Sequence, residues 1–140
     1  MNVENAVLPT GAQLQSLLAM GGDQPIAMVN LLKFRDRAEY DEPGEPEMTG
    51  RQAYDRYAEA MVPFVEKHGG RIRFTGRADA LVIGEVGDLW DAVAIMEYPS
   101  RAAFVAIATS PEVQAIGRHR KAGLAGQLLI QCTDSPGSLR

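Results

Sequence analysis

Cysteine occurs once in these 140 residues, at Cys132, and histidine twice, at His68 and His119. A lone thiol cannot close an intramolecular disulfide, and it rules out Cys-rich zinc sites. The two histidines lie far apart and lack partners at ligand spacing, so no metal site is expected. Basic charge is also short: 14 Lys and Arg against 18 Asp and Glu, a net charge of −4. Nucleic acid and anionic membranes need concentrated basic surface, and neither is expected as a partner. No apolar run approaches the ~20 residues that cross a bilayer. The opening "MNVENAVLPTG" has no basic start and no apolar stretch, so a cytoplasmic chain without a signal peptide is expected. Gly-rich nucleotide loops and the Gly-x-Ser-x-Gly elbow are missing as well, and no cofactor is expected.

What is present suits one soluble domain, with 46% apolar and 23% charged residues. "PTGAQLQSLLAMGGD" predicts a short helix capped by Thr10, with Leu14, Leu17 and Leu18 on one face and Gly21-Gly22 at its stop. "PIAMVNLLKFRD", residues 25 to 36, predicts a buried strand interrupted by Asn30 and Lys33. Residues 35–48 follow as an acidic, Pro- and Gly-bearing loop without periodicity, either functional or mobile. "TGRQAYDRYAEAMVPFVEKHGG" is the clearest helix. Thr49 and Gln52 form a capping-box pattern, Tyr54, Tyr57, Met61 and Val65 lie on one face, and Pro63 predicts a kink or break. "RIRFTGRADALVIGEV" predicts a strand with a bend or bulge at Gly76. "WDAVAIMEYP" predicts another. A helix opened by Ser100 restarts at Ser110-Pro111 and stops at Gly123. "GQLLIQC" predicts the last strand.

This order predicts an α+β fold: a ferredoxin-like βαββαβ protomer with an extra N-terminal helix. Residues 1–24 would be a helical extension, 25–132 the domain, and 133–140 a flexible tail. Helices would cover one sheet face, yet the strands are apolar on both. A one-sided wet sheet alternates cleanly. The second face is therefore expected to meet another copy, giving a homodimer whose sheets form a shared α+β barrel.

The pieces "VNLLKF", "AYDRYAEAMVPFVEKHGGRIRFTG" and "WDAVAIMEYPSRAAFVAIATSPEVQAIGRHRKAGL" together resemble a widespread bacterial domain-of-unknown-function family of the dimeric α+β barrel superfamily. The resemblance covers roughly residues 25 to 132 and implies a ferredoxin-like protomer and a dimer. It implies no reaction. Relatives in the superfamily include cofactor-free oxygenases, lactone isomerases, haem-processing enzymes and stress-response proteins, and a fold so widely shared says little about chemistry.

Polar residues interrupting apolar faces mark the candidate site. Asn30 and Lys33 are an odd number apart and point to opposite sheet faces. Asn30 would face the helices, either touching a ligand or satisfying neighbouring backbone. Lys33 fits a rim or dimer contact. Tyr54 and Tyr57 bring hydroxyls to the buried helix face, as ligand groups or as core aromatics. Arg120 lies beside the apolar face set by Val113 and Ile116 and suits an anionic oxygen. His119 projects about 100° from it and could move a proton near neutral pH; both also suit a solvated helix end. Glu97 interrupts the Val93–Ile95 row as a candidate proton acceptor or as the partner of an arginine such as Arg73 or Arg101. Two functions follow. One is a cofactor-independent enzyme, with Asn30, Tyr54, Tyr57 and Arg120 binding a small organic molecule and His119 or Glu97 catalytic. The other is a ligand-binding or dimerisation module without catalysis.

Overall fold

In the computed structural model, which describes residues 2–134, the elements are α1 (Gly11–Met20), β1 (Ile26–Phe34), α2 (Gly50–Lys67), β2 (Arg71–Arg77), β3 (Ala92–Tyr98), α3 (Arg101–Ala108), α4 (Pro111–Gly123) and β4 (Leu124–Cys132). The strands form one sheet in the order β2-β3-β1-β4, every neighbouring pair antiparallel. Each βαβ half thus brackets a strand of the other half, the ferredoxin-like arrangement. Most of the flexible tail expected at 133–140 lies outside the described residues.

The helices begin where side chains can take up their first amides. Thr10 with Gln13 and Thr49 with Gln52 form capping boxes, and Ser100 and Ser110 cap α3 and α4. Each cap contributes about 1 kcal/mol. Of the kink or break expected at Pro63, the break does not occur: α2 runs through it. Glu59, whose carbonyl loses its donor, is exposed, so water can fill that bond.

The second strand ends sooner than its apolar residues predict. β2 stops at Arg77, and Leu81, Val82 and Ile83 lie exposed in the connection to β3. The register shift also falls between Ile72 and Phe74, not at Gly76. Gly76 instead makes room for the Phe74 ring, whose Cζ would lie 2.8 Å from a β-carbon there.

Ile26, Met28 and Leu32 of β1 point to the helices and are each 2% exposed. They pack with Met61 and Val65 of α2, Ile107 of α3, Val113 of α4 and, around Leu32, Leu124 of β4. The other sheet face carries Ala27, Val29 and Leu31, opposite Ile95, Val93, Leu128 and Ile130, all half-buried or exposed. The face expected for α1 is only partly used: Leu17 packs on the core, whereas Leu14 and Leu18 are exposed.

Candidate functional site

Alternation along β1 sends Asn30 to the helix side, in register with Ala94 of β3 and Leu129 of β4. Its Nδ2 donates to the carbonyls of Ala94 (3.1 Å) and Met28 (3.3 Å). Its Oδ1 accepts from Gln127 Nε2 at 2.7 Å. Gln127 is buried, and its Oε1 accepts from Arg120 at 2.5 Å. A run of hydrogen bonds thus leads from the sheet centre to the guanidinium at the end of α4. It answers the cost of a buried amide, roughly 1–3 kcal/mol when a partner is missing, and it fixes where Arg120 stands.

Tyr54 and Tyr57 come down from α2 onto the same place. Their rings pack at 5.5 Å, and Tyr54 packs on Phe34 at 5.4 Å. Burial pushes both phenols above their usual range, and the positive charge of Arg120 works against that rise in each. Tyr98 is raised by burial too, then by Tyr57. At neutral pH all three are therefore neutral hydroxyl donors. They take no part in the Asn30–Gln127–Arg120 run. Tyr54 and Tyr57 thus stand within electrostatic reach of the Arg120 guanidinium, and neutral phenols beside a guanidinium are a set matched to an oxyanion or a polarised carbonyl.

The other two candidates stand elsewhere. His119 leaves α4 in a different direction from Arg120, and its Nδ1 lies 2.7 Å from the Tyr40 hydroxyl. Arg56 also donates to that hydroxyl (3.3 Å), and both Arg56 and Arg118 lie over the Tyr40 ring. Glu45 accepts from Arg56 at 2.7 Å and from Arg118 at 2.8 Å, which holds its carboxyl down at about 2. Burial, then Arg56 and Arg118, lower the His119 pKa. Glu97 sits on the opposite sheet face, across from Ala27, paired to Arg71 (2.7 Å) and Arg73 (3.0 Å). Arg101 instead bonds Gln131 and the Gly21 carbonyl. One protomer therefore does not assemble His119 or Glu97 with the Asn30 group.

Lys33, on the face away from Asn30, meets the Leu89 carbonyl (3.0 Å), Asp88 (3.3 Å) and Asp91 (3.4 Å) of its own chain. The 35–48 loop is tied down, with Arg35 and Glu39 amides donating to the Gly123 and Ala122 carbonyls at the end of α4. Sequence spacing did not reveal Gln127 or the Tyr40 clasp, because strand register and a non-periodic loop decide both. Openings in the described surface lie away from the Asn30 group. A recess of about 60 Å³ lies beside Tyr40 and Arg118, and a cleft of about 440 Å³ is lined by Phe34, Arg51 and Arg77 among others. Neither is lined by Asn30, Tyr54 or Tyr57, which lie between packed side chains. Among the described residues, no three His, Cys, Asp or Glu gather as metal ligands.

A family model for a domain of unknown function, DUF1330, matches residues 44–131. A protein of unknown function from Rhodopseudomonas palustris is 32% identical, with a TM-score of 0.86 over 96% of this chain and 100% of that one. A dabb family protein with a ferredoxin-like fold from Mesorhizobium loti is 13% identical, with a TM-score of 0.51 over 80% of this chain and 98% of that one. A hydroxynitrile lyase from Passiflora edulis is 8% identical, with a TM-score of 0.54 over 84% and 99%. At such identities these last two likenesses are of fold alone. No curated protein matches the chain.

Proposed function

The chain belongs to the DUF1330 family, and from that premise we propose that it is a homodimer binding a small anionic organic molecule between sheet and helices. Arg120 takes the anionic oxygen, Tyr54 and Tyr57 donate to it, and Asn30 holds Arg120 in place through Gln127. The observation that carries this is the donor set itself: a guanidinium with neutral phenols around it, on the buried side of a sheet. The ligand enters by opening the Phe34–Tyr54 contact, which joins the site to the surface cleft. Catalysis is a further step of the proposal. A hydroxynitrile lyase has this fold, yet the candidate proton carriers here, His119 and Glu97, lie away from Arg120, so binding is the core of the assignment. Dimerisation is supported by the apolar sheet face of Val29, Ile95 and Ile130. The test is a crystal soaked with small carboxylates. Density bonded to Arg120 and both tyrosines is the expected result, and carboxylates seated only elsewhere would refute the site.

A further inference from the structure

The open cleft of about 440 Å³ lies where β1 runs out and α2 begins. Three arginines line it from separate parts of the fold: Arg35 after β1, Arg51 in the first turn of α2, and Arg77 at the end of β2. In a chain of net charge −4 this gathering of cations runs against composition. Two carboxylates share the wall, Asp36 and Asp91. Asp91 is already engaged, accepting the Phe34 amide at 2.8 Å and facing Lys33 at 3.4 Å.

The arginines are held only loosely. Arg35 pairs with Glu39 (3.0 Å), Arg51 with Asp55 (3.3 Å) and Arg77 with Asp79 (2.7 Å), and these carboxylates are 70%, 51% and 72% exposed. Exposed pairs contribute little to stability, so each guanidinium can exchange its partner at small cost. The Nε of Arg35 is buried without a hydrogen-bond partner. A donor in that condition gains by turning to an acceptor. Arg51 sits 5.2 Å from the centroid of the Phe34 ring, which gives the cleft an apolar floor. The positive end of α2 adds its field. It adds few donors, because the Thr49, Gly50 and Gln52 amides are already bonded.

We propose that this cleft binds a phosphorylated small molecule, its phosphoryl oxygens shared among Arg35, Arg51 and Arg77 and its apolar part lying on Phe34. A phosphoryl group offers three oxygens and close to two charges, whereas one carboxylate fills a single guanidinium fork. The assignment uses none of the Arg120, Tyr54 or Tyr57 groups, although the same cleft is the entrance proposed for the Arg120 ligand. The test is calorimetric titration of the full chain with phenyl phosphate, beside inorganic phosphate and benzoate. Saturable binding of phenyl phosphate is expected, with inorganic phosphate weaker for want of a ring; benzoate binding that survives the cleft arginine substitutions unchanged is assigned to Arg120 and not to the cleft. Joint Arg51→Gln and Arg77→Gln substitution should weaken phenyl phosphate at least about tenfold, and Lys67→Gln, outside the cleft, should leave it unchanged. Arg77→Gln alone, at an 80% exposed side chain, keeps the test available if the double variant fails to fold. Absence of saturable binding overturns the proposal. So does equal affinity in the arginine variants.

Discussion

The polar side chains that interrupt the apolar faces work in groups set by direction. Asn30 faces the helices and serves Gln127 and Arg120, whereas Lys33, three residues on, serves Asp88 and Asp91 on the other side. His119 and Arg120 are neighbours that separate in the same way, one joining Tyr40 and the other the sheet interior. The Tyr40 clasp predicts a pH response. The groups facing His119 are Tyr40 of the loop, Arg56 of α2, Arg118 of α4 and Glu45. Because the folded His119 pKa lies below its ordinary 6.5, the undocked state binds more protons and stability falls as pH drops below that value. Glu45 adds a second step in the same direction: its contribution is present above the ordinary 4.5 and is lost as pH falls through about 2. Protection of the Ala38 and Glu39 amides, which bond to the Met48 and Ala122 carbonyls, should fall on acidification through both ranges once exchange rates are corrected for their intrinsic pH dependence. Tyr40→Phe should remove much of the first step. An unchanged exchange profile in that variant would show that His119 does not govern the loop. The opposed faces of Asn30 and Lys33 were legible from the odd spacing in "PIAMVNLLKFRD". Gln127 was not, because only the β1–β4 register sets it opposite Leu32.

At the scale of elements, α2 and α4 meet through glycine. A β-carbon on Gly50 would strike the Arg35 carbonyl oxygen and lie 2.6 Å from that of Gly123, and one on Gly123 would strike the Gly50 carbonyl. These neighbours are backbone and cannot step aside as a side chain end can. Gly50→Ala should therefore destabilise the fold by about 1–3 kcal/mol despite its better helix propensity, as read by denaturant unfolding. Equal or higher stability would mean that the helices separate freely. Caps and stops were plain in the sequence: Thr49 with Gln52, Ser110 with Pro111, and Gly123 fall where the structure uses them. The end of β2 was not. "ALVIGEV" has strand composition, but β3 begins its pairing at Ala92 opposite Arg77 and offers that segment no partner. Pro63 does not end α2 because the Glu59 carbonyl it deprives of a donor is already exposed to water.

For the whole molecule, the unbroken apolar pattern of β1 carried the most information. A strand apolar on both faces predicted a second layer beyond the helices, and the face bearing Val29, Leu31, Val93, Ile95, Leu128 and Ile130 is the surface that the proposed dimer would cover. Val29→Asp would place a charge opposite Ile95 and Ile130. Sedimentation at micromolar concentration should give a dimer for the native chain and a monomer for this variant. A native monomer would refute the assembly. The central claim concerns the other face, and one measurement reaches it most directly: the affinity for a small carboxylate that binds the native chain, compared with Arg120→Lys, which keeps the charge and loses the planar fork. A loss of at least about tenfold with an unchanged melting temperature is the predicted result. Equal affinity in the two proteins would contradict the assignment of Arg120 as the anion's anchor.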